Sequence, residues 1–141
     1  MIIIDITQKS NRIDQKTYDK YTTPAMIRKY MNLINIVCFT IHGYYTRNVV
    51  DNVTGDLRSI TIVRIKIGNK THALLLTPMV PYSPYTHNDI TSISLDDIVP
   101  DDCTISEYVR YYIKKTFRSA GRDYKAICSK FITPLFIELL N

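Results

Sequence analysis

The sequence contains no tryptophan, only four glycines among 141 residues and only three cysteines. So few glycines exclude a glycine-rich phosphate-binding loop, which needs several of them within one short segment. The apolar runs at residues 1–4, 73–76 and 135–140 are far shorter than the ~20 residues that a membrane-spanning helix requires. The composition therefore argues against an enzyme of the glycine-rich-loop type and against a transmembrane protein.

Cysteine and histidine do not show the spacings of metal or catalytic sites. No CxxC, CxxH or HxxxH pattern occurs, so neighbouring pairs cannot build a zinc site. Cys38 and His42 could be paired as nucleophile and base, but on a strand they would stand ~13 Å apart, which favours a buried thiol and a half-exposed imidazole. We predict free thiols, no metal, no cofactor, no catalytic residues and a protein that is not an enzyme.

A group of aspartates just before the most clearly predicted helix allows two interpretations. Clustered carboxylates could hold a divalent metal in a nuclease, but these residues bracket Pro100 and precede a helix start. Acidic residues in that position complement the positive helix end and favour turns. We therefore expect a turn and helix-cap role for Asp96, Asp97, Asp101 and Asp102.

The residues that are present indicate a folded, soluble chain. Hydrophobic residues make up 45% of the sequence and charged residues 22%, with a net charge of +5, and a disordered chain is less apolar and more strongly charged. The first apolar run is followed by Asp5 and preceded by no basic residue, which is unlike a signal peptide. We expect a cytoplasmic protein with no membrane contact.

The first 86 residues are predicted to be rich in β-structure. Thr23 and Pro24 suit the N-cap and first position of a short helix. Gly68 and Asn69 form a hairpin signal. In the segment 57–67 the odd-numbered side chains are drier than the even-numbered ones, so we assign the odd face to the core. Strands are predicted over 1–6, 34–41, 44–50, 57–67 and 71–77, which indicates a small antiparallel β-ribbon or meander.

Residues 87–141 are predicted to form a helical part, which makes the fold class α+β. The prolines between 78 and 84 predict a stiff, extended connector, so we divide the chain into 1–86 and 87–141. A short helix is expected near 88–93 or 95–98. Residues 104–107 match a capping box for the next helix, which Gly121 ends. A last helix is expected over 122–133, followed by an apolar tail that docks on the body or on a partner.

The positive charge is concentrated in one segment, which covers the last two predicted helices. Between residues 104 and 130 seven basic side chains stand against two acidic ones, and the rest of the chain is neutral. Arg110, Lys114 and Arg118 recur every four residues on the side opposite an apolar stripe, a pattern that suits duplex phosphates, although a merely solvated face is the alternative. The candidate nucleic-acid-binding residues are Arg110, Tyr111, Lys114, Lys115, Arg118, Arg122 and Lys125.

Three segments together resemble a bacterial family of transposase-associated zinc-ribbon proteins. They are HGYYTR at 42–47, KTHALL at 70–75 and VPYS at 80–83. The resemblance implies a zinc ribbon followed by helix-turn-helix segments. The family's CxxC pairs are missing: Ile65 and Gly68 stand where the second pair belongs, and only Cys38 lies near the first. The resemblance therefore implies a metal-free ribbon, held by packing, with a helix-turn-helix-like C-terminal part.

Two hypotheses of function follow. The first is a non-catalytic protein of a mobile element that binds duplex DNA through the basic helix. The second is a phage- or mobile-element-encoded inhibitor, such as an anti-CRISPR protein, that binds a host defence nuclease or its nucleic-acid complex. The eleven tyrosines suit both hypotheses, because tyrosine is enriched at protein interfaces and also contacts nucleic acid.

Overall fold

A five-stranded sheet organises the chain, with its strands in the order β2-β3-β4-β1-β5. The computed structural model describes residues 1–7, 9–10, 12–51, 54–100 and 105–139. The strands are β1 (Ile2–Asp5), β2 (Thr40–Val50), β3 (Leu57–Ile67), β4 (Lys70–Leu76) and β5 (Leu135–Glu138). The helices are α1 (Gln15–Tyr21), α2 (Pro24–Leu33), α3 (His87–Thr91), α4 (Glu107–Phe117) and α5 (Tyr124–Cys128). The fold is thus a mixture of α and β structure.

The sheet is mixed rather than antiparallel throughout. Strands β2, β3 and β4 form the predicted antiparallel meander, and the turn at Gly68 joins the last two as expected. Strand β1, however, pairs parallel to β4 on one side and parallel to β5 on the other. The apolar tail was expected only to dock; it supplies the edge strand β5 instead. Because β1 is covered on both faces, all of Ile2, Ile3 and Ile4 are buried, as in the centre of a parallel sheet.

Helix α1 closes a fork between β3 and β4. The two strands pair from Ile67 and Lys70 as far as Arg64 and Ala73, after which β4 leaves β3 to join β1. If the pairing continued, Val63 and Leu74 would come next. At this position the Tyr18 hydroxyl lies between the two strands instead: it accepts from the Val63 amide at 3.0 Å and donates to the Leu74 carbonyl at 2.7 Å. One turn earlier, the Gln15 side chain accepts from the Thr61 amide and donates to its carbonyl. Sequence analysis assigned no helix to this polar segment.

The segment after α2 corrects one predicted strand. Helix α2 begins as expected, with the Thr23 hydroxyl accepting from the Met26 amide and Pro24 in the first turn. The helix extends to Leu33, Asn35 adopts a left-handed backbone with φ of 60°, and Val37 is 90% exposed. The prediction of a buried strand over 34–41 is therefore wrong, and β2 begins only at Thr40. Apolar composition alone did not separate a helix end from a strand.

The assignment of the odd face of β3 to the core is only partly correct, because part of the even face is buried as well. Ile60 and Ile62, on the even face, are buried together with Val63 and Ile65 on the odd face. The even face is covered near Ile60, because its register partner Arg47 donates to the Val80 and Ser83 carbonyls. The odd face lies against α1 near Val63. The strand is therefore covered on both faces, which simple alternation does not predict.

The proline-containing connector is a series of turns rather than an extended spacer. Val80 and Ser83 form an isolated antiparallel bridge, Tyr82 has a φ of 61° and the Thr77-Pro78 peptide bond is cis. Val80 is fully buried. Since β5 pairs with β1, the boundary that we placed after residue 86 separates strands of one sheet.

The C-terminal helices are shorter than predicted. Ser106 caps α4 by accepting from the Val109 amide, so the helix starts later than the predicted capping box, whose Thr104 lies outside the described residues. A 3₁₀ turn at Arg118–Ala120 follows, and Gly121, with φ of 62°, ends it as expected. The expected helix over 122–133 is confined to α5, which Asp123 caps. The expected helix near 88–93 is α3, which continues as a π-helical turn at Ser92–Asp96.

Among the described residues no helix is both long enough and apolar enough to cross a bilayer.

Candidate nucleic-acid interface

Helix α4 presents a different face to solvent from the one that the sequence predicted. Its buried side chains are Ile113 and Phe117. Tyr111 and Lys115, two of the candidate residues, point away from these and are exposed. Arg110 and Lys114 are only half-exposed, because they lie on the side of the helix that faces the π-helical turn. The exposed face of α4 is therefore aromatic as well as basic.

Asp97 neutralises part of the predicted cationic stripe. Its carboxylate accepts from Arg110 Nε at 2.7 Å and contacts Lys114 Nζ at 2.6 Å. Hydrogen bonds from these two cations lower the pKa of Asp97, with the larger effect from Lys114 and the smaller from Arg110. Ion pairs between exposed groups stabilise a fold only weakly, but they do set the charge that an approaching ligand meets.

A second aspartate, Asp96, pairs with Arg122 at 3.0 Å. Asp97 does serve a turn, as the left-handed residue that ends the π-helical turn. The ion pairs of Asp96 and Asp97 are an additional role that the sequence did not predict. Asp101 and Asp102 lie outside the described residues. A net charge calculated along one helix did not show this neutralisation, because the acidic partners precede the helix in sequence.

The remaining candidate residues differ in how firmly they are held. Arg118 donates its Nε to the Ser94 carbonyl at 3.2 Å, which leaves the other end of the guanidinium for a ligand. Lys125 lies 3.7 Å from a Glu138 oxygen and over the ring of Phe136. Lys115 has no ion pair within the described part of the chain. The strongest positive potential on this helix is therefore expected around Lys115 and Arg118.

Exposed tyrosines accompany these two cations. Tyr108 is 77% exposed and Tyr111 is 63% exposed. A shallow hollow of about 560 Å³ lies between Tyr111, Lys114, Lys115, Arg118 and Ser119. An aromatic ring beside cationic side chains is the arrangement that binds bases and phosphates together in single-stranded nucleic acids. We call Tyr108, Tyr111, Lys115 and Arg118 the helix surface.

Sequence analysis missed a larger cleft on the sheet. This sheet cleft has a volume of about 940 Å³ and is bounded by β2, β3, β4, the turn at 82–84 and residues 132–133. Its basic side chains are His42, Arg47 and Arg64, and no carboxylate of the described residues lines it. The signal that could have shown it was the hairpin register: Tyr45 and Arg47 pair with Ile62 and Ile60, on the face that carries Arg64.

Two arginines in the sheet cleft are held in place by different contacts. Arg47 is half-exposed and donates Nη2 to the Val80 and Ser83 carbonyls, both at 2.6 Å. The Arg64 guanidinium lies over the Tyr45 ring, 4.4 Å from its centroid, a stacked arrangement that suits arginine's planar cation. Neither arginine pairs with a carboxylate among the residues described. The sheet cleft is thus a preformed cationic site.

The two described cysteines lie in different environments. Cys38 is exposed and outside any strand, contrary to the predicted buried thiol, whereas Cys128 is buried as expected. Burial raises the pKa of the Cys128 thiol to about 12, the opposite of what a nucleophilic thiolate requires. No cluster of three or more His, Cys, Asp or Glu side chains suited to a metal ion occurs among the described residues.

No family model, characterised protein or solved structure matches this chain. The resemblance to transposase-associated zinc-ribbon proteins therefore stays a prediction that rests on three short motifs. Parts of all three motifs converge in space: His42, Tyr45 and Arg47 of the first, Thr71 and Ala73 of the second, and Tyr82 and Ser83 of the third line the sheet cleft.

Proposed function

We propose that this protein binds nucleic acid without altering it, and that the helix surface contacts the phosphates. The observation that carries the proposal is that an exposed aromatic side chain, Tyr111, lines one hollow together with the cations Lys115 and Arg118. Tyr111 and Lys115 lie on α4, and Arg118 lies in the 3₁₀ turn after it. In this proposal α4, the turn at Gly121 and α5 form the helix-turn-helix-like unit. A net charge of +5 favours association with a polyanion over association with a cationic surface.

The ion pairs of Asp96 and Asp97 refine which cations act. Arg110, Lys114 and Arg122 keep carboxylate partners, so their contribution to phosphate binding is reduced. Lys115 and Arg118 are then the main phosphate contacts, with Tyr108 and Tyr111 beside them. This arrangement suits a single strand, whose bases can stack on tyrosine, as well as a duplex backbone.

The test is a salt titration of DNA binding with matched variants. A double variant, Lys115→Ala with Arg118→Ala, should bind duplex and single-stranded DNA more weakly than the parent. The slope of log K against log salt should flatten by about 0.9 for each duplex phosphate that the variant no longer neutralises, and by about 0.7 for each phosphate of a single strand. The control variant, Arg28→Ala with Lys29→Ala, removes the same charges from exposed positions on α2.

Fluorescence anisotropy with a labelled oligonucleotide measures both effects, and thermal unfolding establishes that each variant is folded. The proposal fails if the parent protein binds no DNA at low salt, or if the control loses as much affinity as the double variant.

Asp97→Asn provides a test in the opposite direction. The substitution removes the carboxylate that holds Arg110 and Lys114, so DNA affinity and the salt slope should both increase. Asn tolerates the left-handed backbone that Asp97 adopts, with φ of 59°, and the fold should therefore persist. Asp56→Asn, on an exposed turn between β2 and β3, removes the same charge from a residue that does not pair with Arg110 or Lys114 and should change affinity much less.

A second candidate function is inhibition of a host defence nuclease by direct binding, as an anti-CRISPR protein would do. An apolar groove of about 600 Å³ favours it, since its walls include Tyr82, Tyr112 and Phe131, all of them exposed. Exposed aromatic side chains around a groove are typical of protein interfaces. Absence of DNA binding, together with loss of nuclease activity when the protein is added to a guide-RNA nuclease complex, would favour this candidate.

A further inference from the structure

The sheet cleft lies apart from the helix surface and has its own chemistry. Its floor carries Arg47 and Arg64 on neighbouring strands, and its rim carries Tyr82 and Ser83. We propose that the sheet cleft is a second binding site, and that it takes a nucleoside phosphate. The phosphate would lie against the arginines and the base against Tyr82.

The arginines suit a phosphate because they are fixed before any ligand arrives. Both hydrogen bonds of Arg47 to the turn use Nη2, so the Nε and Nη1 sides of the guanidinium can donate to a ligand. The Arg64 guanidinium carbon lies over the Tyr45 ring, 4.4 Å from its centroid, and forms no ion pair within the described residues. Its N–H groups can therefore donate to a ligand. Planar guanidinium groups bind phosphate oxygens in pairs. Within the part of the chain that the structure describes, no lining carboxylate competes for them.

Tyr82 suits a base because its side chain is exposed and its backbone is in the left-handed conformation. Tyr82 is 66% exposed, whereas Val80 and Pro81, directly before it in the same turn, are buried. Its φ of 61° lies in the left-handed region, which bulky residues rarely adopt and which is concentrated at ligand sites. The Phe131 ring meets it edge-on at 6.2 Å and so fixes its orientation.

The size and polarity of the sheet cleft narrow the class of ligand. Its volume of about 940 Å³ is within the range of small-molecule sites and exceeds what a lone phosphate fills. A purely apolar ligand would strip water from Arg64 without replacing its hydrogen bonds, which is unfavourable. A metal ion would find arginines and no carboxylate. An anionic group joined to an aromatic one satisfies both parts of the site.

A free mononucleotide and the 5′-phosphorylated end of a nucleic-acid strand share this chemistry. Calorimetric titration of the full chain therefore uses a nucleoside monophosphate, inorganic phosphate, and one oligonucleotide with and without a 5′-phosphate. We expect the nucleoside monophosphate or the phosphorylated strand to bind at least about tenfold more tightly than inorganic phosphate, as base stacking predicts. Whichever of these two binds more tightly identifies the source of the ligand.

Two variants test the two halves of the site. Arg64→Ala removes a phosphate contact, and Tyr82→Gly removes the ring while placing the residue that best tolerates a positive φ. Each should weaken nucleotide binding by about tenfold or more. Arg28→Ala, an exposed arginine on α2, is the control and should change nothing.

The Lys115→Ala, Arg118→Ala double variant should bind the nucleotide like the parent, so failure of the helix surface and failure of this proposal are separable. The proposal is overturned if inorganic phosphate binds as tightly as the nucleotide, if no probe binds at millimolar concentration, or if Arg64→Ala and Tyr82→Gly behave like Arg28→Ala.

Discussion

Removal of a single oxygen atom, in Tyr18→Phe, would test how the sheet is held at the point where β4 leaves β3. The Tyr18 side chain is 3% exposed, and its hydroxyl joins the Val63 amide to the Leu74 carbonyl. Phenylalanine keeps the ring and its packing but leaves both of these backbone groups without that partner. Burial of the hydroxyl also raises the pKa of Tyr18, as expected for a group shielded from water.

The magnitude follows from the two hydrogen bonds. A buried donor or acceptor left without a hydrogen bond costs about 1–3 kcal/mol, so we expect Tyr18→Phe to lower the free energy of unfolding by about 2–4 kcal/mol. Tyr30→Phe is the matched control. The Tyr30 hydroxyl is equally buried but makes one backbone hydrogen bond, to the Tyr21 carbonyl at 2.7 Å. Removal of that bond should cost about 1–2 kcal/mol.

Urea unfolding followed by circular dichroism measures both variants. The midpoint should fall while the slope with denaturant stays constant, because the surface exposed on unfolding does not change. A Tyr18→Phe variant that loses no more stability than Tyr30→Phe would refute the argument that this hydroxyl completes the strand pairing.

Three further measurements test the burial of Val63, the buried thiol of Cys128 and the lack of zinc-binding cysteines. Val63→Asp should unfold the protein, because an unpaired carboxylate in the core costs several kcal/mol out of a total stability of ~5–15 kcal/mol. Arg64→Ala, at an exposed position of the same strand, should leave the thermal midpoint nearly unchanged. Equal midpoints for the two variants would contradict the burial of Val63. Stability should fall above about pH 9, by up to ~1.4 kcal/mol per pH unit from this one group. The reason is that the native Cys128 thiol, with its pKa raised to about 12, keeps a proton that the unfolded chain releases. Urea midpoints from pH 8 upward should show this fall, and Cys128→Ala should delay its onset; an unchanged onset would refute the role of the thiol. Elemental analysis of the purified protein should detect no zinc, since Ile65 and Gly68 occupy the positions of a ligand pair, and one tightly held equivalent would disprove this.

The sequence predicted the parts of the fold that local signals determine. The β2–β3–β4 meander follows from its apolar segments and the turn at Gly68, and helix α2 follows from Thr23 and Pro24. Parallel pairing of β1 with β4 and β5 has no such signal, because the partners are far apart in the chain and each pairing covers at most four residues. Helix α1 was missed because its buried side chains are only Tyr18 and Tyr21, too few to give an apolar period.

The candidate sites were predictable to different degrees. Composition located the basic helix, and Lys115 and Arg118 remain within the helix surface. The ion pairs of Asp97 depend on a left-handed residue at the end of a π-helical turn, which propensities do not predict. For the sheet cleft, the hairpin register could have placed Arg47 and Arg64 on one face of the sheet. Only the tertiary structure shows that the distant turn at 82–84 lies beside them.

The central position of β1 has a consequence for how the chain is made. The ribosome synthesises β1 before the other four strands, yet its partners begin at Leu74 and Leu135. Until β5 has emerged, at least one edge of β1 has no native partner, and this strand contains three successive isoleucines. Contacts so distant in sequence slow folding, and unpaired apolar edges promote aggregation. We therefore expect the nascent chain to depend on chaperones until β5 has been synthesised.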